Sequence, residues 1–300
     1  MMPNNTSAYP KISIITATYN RADFLEATIQ SILGQNYPNL EYIVIDGGST
    51  DGTVDIIKQY EDHLAYWVSE PDKGMYHAIQ KGFDQATGEI MGWLNSDDLY
   101  FDWTFDTLAT LFNTFPDMEW LTSNQLFAIN ATGKPLACFQ VPGYSREGYL
   151  RGEHFDLPSQ QYVVEYIMQE ATFWRRSLWD KVGATLDTSL KYAGESELWF
   201  RFFEHAELYD VSLPLAQFRH HDNQITNQLS NQYHAEIELL LQKYGHHRHT
   251  RLTATLRGLF SQHTPSRLRR LPHMLGLMHK SKRLKYNMRQ QQWQIQQRYY

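Results

Sequence analysis

At 300 residues, with 42% hydrophobic and 14% aromatic residues, the chain can bury a sizeable core, and its composition excludes a disordered or low-complexity protein. A single cysteine, Cys138, excludes a disulfide framework and a cysteine-rich zinc site, and fits a reducing compartment. The net charge of −6 conceals a division: from Leu239 onward there are 13 Lys/Arg and no acid, leaving 14 basic residues against all 33 acids before it.

The elements follow in chain order. Lys11 to Thr18 is an apolar, β-branched run and predicts a buried strand, followed by Tyr19-Asn20-Arg21 and a helical pattern from Asp23 to Leu33. A second strand, Tyr42 to Ile45, runs into Asp46-Gly47-Gly48-Ser49-Thr50-Asp51-Gly52, and a helix over Val54 to Tyr60 follows. A third strand, Leu64 to Val68, leads to Glu70-Pro71-Asp72-Lys73-Gly74 and a helix ending near Ala86. The fourth strand, Glu89 to Leu94, ends in Asn95-Ser96-Asp97-Asp98. Strand, polar loop and helix alternate, which predicts a parallel sheet with crossover helices. All four polar loops then fall at the strand ends where such sheets bind ligands.

Two adjacent carboxylates at the end of a buried strand repel each other unless a cation sits beside them. Oxygen-only ligation suits magnesium or manganese, shared with the phosphates of a substrate. An Asn-Ser-Asp-Asp turn with capping side chains explains the same four residues, and on this segment alone both readings stand.

The segments Ile14-Ile15-Thr16-Ala17-Thr18-Tyr19-Asn20-Arg21, Asp46 to Thr53, Gly88-Glu89-Ile90 and Leu94 to Asp98, taken in order, resemble the family 2 glycosyltransferases of GT-A fold. The resemblance runs from about residue 11 to about residue 222, and the Asp72-Lys73-Gly74-Met75-Tyr76 loop is similar to the branch that builds bacterial surface polysaccharides. It implies that Thr16, Ala17, Tyr19 and Arg21 hold the nucleotide base, that Asp46 accepts a hydrogen bond from base or ribose, and that Asp72 and Lys73 lie along ribose and diphosphate. Asn95 and Ser96 would line the same donor site. Asp97 matches the second acid of the family's metal motif; Asn95 replaces the first, with Asp98 as the compensating ligand for Mn2+ or Mg2+. His77 stands where relatives often have Asp.

In the second half, Glu170 to Arg176 reads as a strand, Ser177 to Val182 as a helix, and Gly194-Glu195-Ser196-Glu197 as the start of another. The resemblance makes Glu195 the base that deprotonates the acceptor hydroxyl, in a place where Asp is usual. Two residues apart on a helix, Glu195 and Glu197 face different directions, so Glu197 is read as structural; the alternative is that both are first-turn acids favoured by the helix dipole. Val211 to Gln217 is strand-like, and Arg219 and His221 match an Arg-x-His pair that lies near the diphosphate in relatives.

The sequence therefore predicts an α/β protein with a GT-A-type, Rossmann-like, mostly parallel sheet flanked by helices. Residues 1–8 form a flexible N-terminus, 9–224 the catalytic domain, and 225–300 a basic helical C-terminal extension. Leu268, Leu271, Leu275 and Met278 fall at helical spacing among basic residues. Such a surface meets either an anionic membrane or the acidic body of the same chain; nucleic acid fits less well, because the body is acidic and carries no nucleic-acid motif. No run approaches the ~18 apolar residues of a spanning helix, and Met1 to Pro10 lacks the features of a signal peptide. The expectation is a cytoplasmic protein, peripheral on the inner membrane face if the basic extension meets lipid rather than the acidic body. The function implied by the resemblance is inverting, metal-dependent transfer of a sugar from a UDP- or GDP-type nucleotide sugar to a sugar or lipid-linked acceptor, in cell-surface polysaccharide biosynthesis. Two other readings compete. A dehydrogenase would need a Gly-x-Gly-x-x-Gly turn after the first strand, which Thr16 to Arg21 lacks. A catalytically degenerate, glycosyltransferase-like nucleotide-sugar binding module is favoured by the departures at Asn95, His77 and Glu195.

Overall fold

A computed structural model describes residues 9–155, 166–222, 224, 230–245, 273 and 278–300. Its first strand, β1 (Ile12–Thr18), is buried along nearly its whole length, as a central parallel strand must be. It pairs in parallel with β2 (Leu40–Asp46) on one side and with the later β4 (Ile90–Trp93) on the other, and β3 (Tyr66–Ser69) adds in parallel outside β2. The intervening helices are α1 (Ala22–Leu33), α2 (Thr53–Gln59) and α3 (Met75–Gln85). α1 buries Leu25, Thr28, Ile29 and Ile32, a single stripe at spacings of three and four. The alternation read from the sequence thus holds, and the four polar loops share the C-terminal edge of the sheet.

Beyond β4 the order changes. β5 (Leu99–Tyr100) and α4 (Thr104–Thr114) lead to β6 (Trp120–Ser123), β7 (Gln125–Asn130) and β8 (Pro135–Gln140), and then to α5 (Arg146–Leu150). β9 (Thr172–Arg175) runs antiparallel between β4 and β6. After α6 (Arg176–Lys181) and α7 (Gly194–His205), β10 (Leu208–Val211) returns in parallel beside β6. Val211 to Gln217 is not one strand. β10 belongs to the large sheet, whereas β11 (Ala216–His220) lies in a second sheet ordered β5-β11-β7-β8. Pro214 sits in the link, where no ladder donor is needed. Because β5 begins one residue after Asp98 and pairs with β11, this small sheet brings Asp97 and Asp98 to Arg219 and His221.

The C-terminal region corrects the expectation of a helical extension. α8 (Ser230–Tyr244) is helical, but β12 (Lys280–Asn287) and β13 (Gln292–Tyr299) form a hairpin, and β12 joins the large sheet in parallel beside β10. The boundary at residue 224 therefore does not separate a tail from the sheet. The physical reason is a buried ion pair. Arg283 pairs with Asp210 directly across the ladder, Nε to Oδ1 at 2.5 Å, and donates to the Pro142 carbonyl at 2.8 Å. A buried arginine carries no apolar signature, so the period of this strand was hidden. Lys282 pairs with Glu207, so charges of this segment meet the acidic body. Residues 268–272 and 275, which carried most of the amphipathic pattern, and the N-terminal residues 1–8 lie outside the described residues. Among the described residues, no helix is long and apolar enough to cross a membrane.

The two faces of the sheet bury separate clusters. One holds Ile12, Ile14 and Val44 under α1 and α4; the other holds Ile15, Ile43, Ile45 and an aromatic group of Phe83, Trp93, Trp120, Trp174, Trp179 and Trp199. Trp174 lies 5.6 Å from Trp93 and 5.7 Å from Trp199, ring centroid to centroid. Trp199 is one turn past Glu195, so this packing sets where α7 begins. Each such ring contributes about 1.5–3 kcal/mol or more of burial.

Candidate active site

Three loops meet at the ends of β1, β2 and β3. Asn20, at φ +50°, donates its N–H to Ser49 Oγ at 2.7 Å and accepts from the Thr50 N–H at 2.9 Å, locking the first loop to the second. Tyr19 is left 60% exposed at the mouth. A Cβ on Gly47 would lie 3.3 Å from the Tyr19 ring and 3.5 Å from Asp72 Oδ2, so all three share one small space. Lys81 Nζ and His77 Nδ1 hold Asp72 Oδ1, at 2.6 and 3.0 Å, which gives His77 its role. Asp72 Oδ2 is buried without a hydrogen-bond partner among the described residues. Lys73 is exposed beside it and Ala17 is half-buried at the end of β1.

Two residues expected to contact a nucleotide have other partners. The Thr16 side chain is buried in the sheet and accepts from the Tyr42 hydroxyl at 3.1 Å. The Asp46 carboxylate takes the N–H groups of Gly48 and Ser49 at 3.1 and 2.9 Å, the Ser69 hydroxyl at 2.6 Å and the Ser49 hydroxyl. It organises its own loop.

At the end of β4, the two acids are unlike. Asp97 is partly exposed; its Oδ2 lies 3.0 Å from His221 Nε2 and 3.9 Å from Arg21 Nε. Asp98 is 1% exposed, accepts the Arg219 N–H on Oδ1 at 2.8 Å, and has the Asn95 amide at 3.5 Å from Oδ2. Burial first, then the charges of Asp97 and Glu170, hold its carboxyl well above the usual range. The Ser96 side chain is buried, and the Thr28 hydroxyl donates to the Ser96 and Asp98 carbonyls. Arg219 does not face the cleft. It is buried, donates to the carbonyls of Asp97 at 2.6 Å and Ala131 at 2.9 Å, and lies over Phe24 at 5.2 Å. The Arg-x-His pair therefore divides its work: Arg219 braces the loop and His221 reaches Asp97.

The remaining acids lie toward α7. Glu195 sits in its first turn and accepts from the Tyr76 hydroxyl. Burial pushes its carboxyl up to about 7, against the lowering effect of the Tyr76 hydrogen bond. Glu197 points elsewhere and is fully engaged, by Arg201 at 2.7 Å and the Tyr244 hydroxyl at 2.6 Å. Glu170, singled out for no role from the sequence, is buried in a 3-10 turn (Gln169–Ala171) ahead of β9. Burial first, and then the charges of Asp97 and Glu195, push it up to about 7. The available signal was an acid opening an apolar strand.

Among the described residues, no group of three His, Cys, Asp or Glu side chains is arranged to hold a metal ion. The residues do fit the mode in which a cation takes one protein carboxylate and completes its shell with substrate phosphates and water. Asp97 offers that carboxylate; Asp98, already committed to the Arg219 N–H, does not.

Residues 13–157 match Glycosyl transferase family 2. An uncharacterized glycosyltransferase of Rickettsia typhi is 30% identical over 77% of this chain and 70% of its own length. A putative teichuronic acid biosynthesis glycosyltransferase of Bacillus subtilis, TuaG, is 40% identical over 31% of this chain and 38% of its own. Among solved structures, S. aureus TarS is similar at 16% identity and TM-score 0.57, over 77% of this chain and 39% of that one. A shorter form of TarS in complex with UDP-GlcNAc is similar at 18% identity and TM-score 0.60, over 77% and 65%. These structural likenesses show the GT-A fold, and this chain spans about two-fifths of the longer TarS chain.

Proposed function

The chain belongs to glycosyl transferase family 2, and from that premise we propose that it transfers a sugar, with inversion, from a nucleotide-sugar donor to a hydroxyl acceptor in cell-surface polysaccharide biosynthesis. One observation carries the mechanism. Glu195 stands at the helix start with a proton affinity near neutrality, which suits a general base that must take a proton and release it at physiological pH.

Glu195 takes the acceptor hydroxyl proton as that oxygen attacks the anomeric carbon from the face opposite the diphosphate. The new C–O bond forms while the bond to the diphosphate breaks, and the anomeric centre inverts without a covalent nucleophile. Tyr19 offers a ring for the base, and Asp72 and Lys73 border the ribose and diphosphate. A divalent cation held by Asp97 and the donor phosphates would neutralise charge on the departing diphosphate. His221 and Arg21 fix the Asp97 carboxylate. The surface-polysaccharide setting is supported by TuaG, a putative teichuronic acid biosynthesis glycosyltransferase, whose likeness covers 38% of that protein.

The test is thermal stabilisation by UDP-GlcNAc, GDP-mannose and other nucleotide sugars, with and without manganese, followed by turnover of the donor that binds. Glu195→Gln should lower turnover by roughly 100-fold or more and keep donor affinity. Binding without turnover in the unaltered chain would identify a degenerate binding module instead.

A further inference from the structure

We propose that Glu236 is a positioning residue for the base: from α8, its carboxylate gathers the N–H groups of Lys191, Tyr192 and Ala193 and so fixes the loop that aims Glu195. Oε1 accepts from Lys191, and Oε2 from Tyr192 and Ala193, each at 2.9 Å. This rests on the reading of Glu195 as base.

Three successive backbone donors converging on one carboxylate make a built anion seat, and it is occupied by a residue 41 positions beyond the base. The first N–H groups of a helix lack intrahelical partners, and Ala193 is the N-cap of α7. A negative charge there is favoured by the helix dipole and by charge-assisted hydrogen bonds. The rest of α8 reinforces the grip. Tyr233 Oη lies 3.2 Å from Ser196 Oγ, and the Tyr244 hydroxyl donates to Glu197 at 2.6 Å. The Tyr244 ring stacks on Phe200, centroids 5.6 Å apart. Residues on both sides of Glu195 are thus held from α8, while Tyr76 holds its carboxylate from the other side.

A merely structural brace would affect stability alone. Glu236 also acts through its charge, which raises the proton affinity of Glu195. The titratable groups that interact electrostatically with Glu195 are Tyr76 on α3, Tyr149 on α5, Glu170 ahead of β9, and Tyr233 and Glu236 on α8. Of these, Glu236 is the carboxylate whose removal also releases the loop.

The experiment uses the full chain as wild type, Glu236→Gln, Glu236→Asp and Glu195→Gln. The Glu195 carboxyl carbon is titrated by NMR, and kcat and KM are followed with UDP-GlcNAc as the donor probe. Glu236→Gln removes the negative neighbour, so the Glu195 midpoint should fall a little below about 7, burial still holding it up. Its kcat should drop by about 10- to 100-fold with donor KM held within about 2-fold, the scale of a misplaced reacting group. Glu236→Asp keeps the charge with a shorter reach, so turnover should fall while the midpoint stays. An unchanged kcat in Glu236→Gln overturns the proposal, as does a loss confined to thermal stability. Full turnover by Glu195→Gln would instead remove Glu195 as the base, whatever Glu236 does.

Discussion

Tyr76, in the first turn of α3, donates a hydrogen bond to Oε2 of Glu195, 119 residues later at the start of α7. The contact requires Gly194, because a Cβ there would lie 2.8 Å from three atoms of the Tyr76 ring. α3 therefore serves both halves of the site. His77 and Lys81 hold Asp72 from this helix, and Tyr76 holds Glu195.

A hydrogen bond to the ionised form of Glu195 favours ionisation, so Tyr76→Phe should raise the Glu195 pKa above its value near 7. Bonds to charged groups are worth about 1.5–3 kcal/mol, or roughly one to two pH units. The acidic limb of the kcat profile should move upward by about that amount, with activity recovering at alkaline pH. A profile that does not move would show that Tyr76 has no hold on the base.

Asp97 and Asp98 should separate cleanly. Asp97→Ala should abolish turnover and the manganese dependence of nucleotide binding with little change in Tm, because its carboxylate is partly exposed. Asp98→Ala leaves the buried Arg219 N–H unpaired, a loss of about 1–3 kcal/mol. That corresponds to a Tm lower by several degrees, at roughly 2–4 °C per kcal/mol in a chain of this size. Manganese titration and thermal melts check both. Loss of manganese dependence in Asp98→Ala with an unchanged melt would make Asp98 the ligand.

The parallel half of the sheet was legible because Ile12 to Thr18 and Tyr42 to Ile45 are apolar runs ended by polar loops, and neither pattern depends on distant contacts. Glu195 was singled out by resemblance, and its separation from Glu197 was legible from helix geometry. What stayed hidden depended on partners far along the chain. Nothing near Asp46 says that Ser69 takes its carboxylate, and nothing near Arg219 says that its guanidinium turns inward over Phe24. Arg283 misled for the same reason, since a basic residue is read as solvated until its buried acid is known.

Arg283 also gives a stability prediction. Arg283→Met would take from Asp210, already pushed up to about 6 by burial despite its partner, the cation bonded to it. Breaking one side of a buried pair costs about 3–5 kcal/mol, so Tm should fall by about 10 °C. Adding Asp210→Leu should recover most of the loss. If Arg283→Met melts like the wild type, the hairpin is not docked on β10.

Acid stability should depend on Glu41, which ties β1, β2 and the turn before β4 together. Its carboxylate accepts from Lys11 Nζ and Ser13 Oγ, each at 2.5 Å, and from the Thr87 N–H and hydroxyl at 2.6 and 2.7 Å. Burial alone would raise its pKa, but these donors outweigh burial and hold it down at about 2, against an ordinary 4.5. A folded pKa below the unfolded one contributes stability that is fully present above about 4.5 and is lost as pH falls toward 2. Glu41→Gln should therefore be less stable than wild type at pH 7, and the gap between them should close progressively as pH falls below 4.5. Urea denaturation at pH 7, 5 and 3 measures it, and a gap that stays constant across that range would mean that the charge of Glu41 contributes nothing.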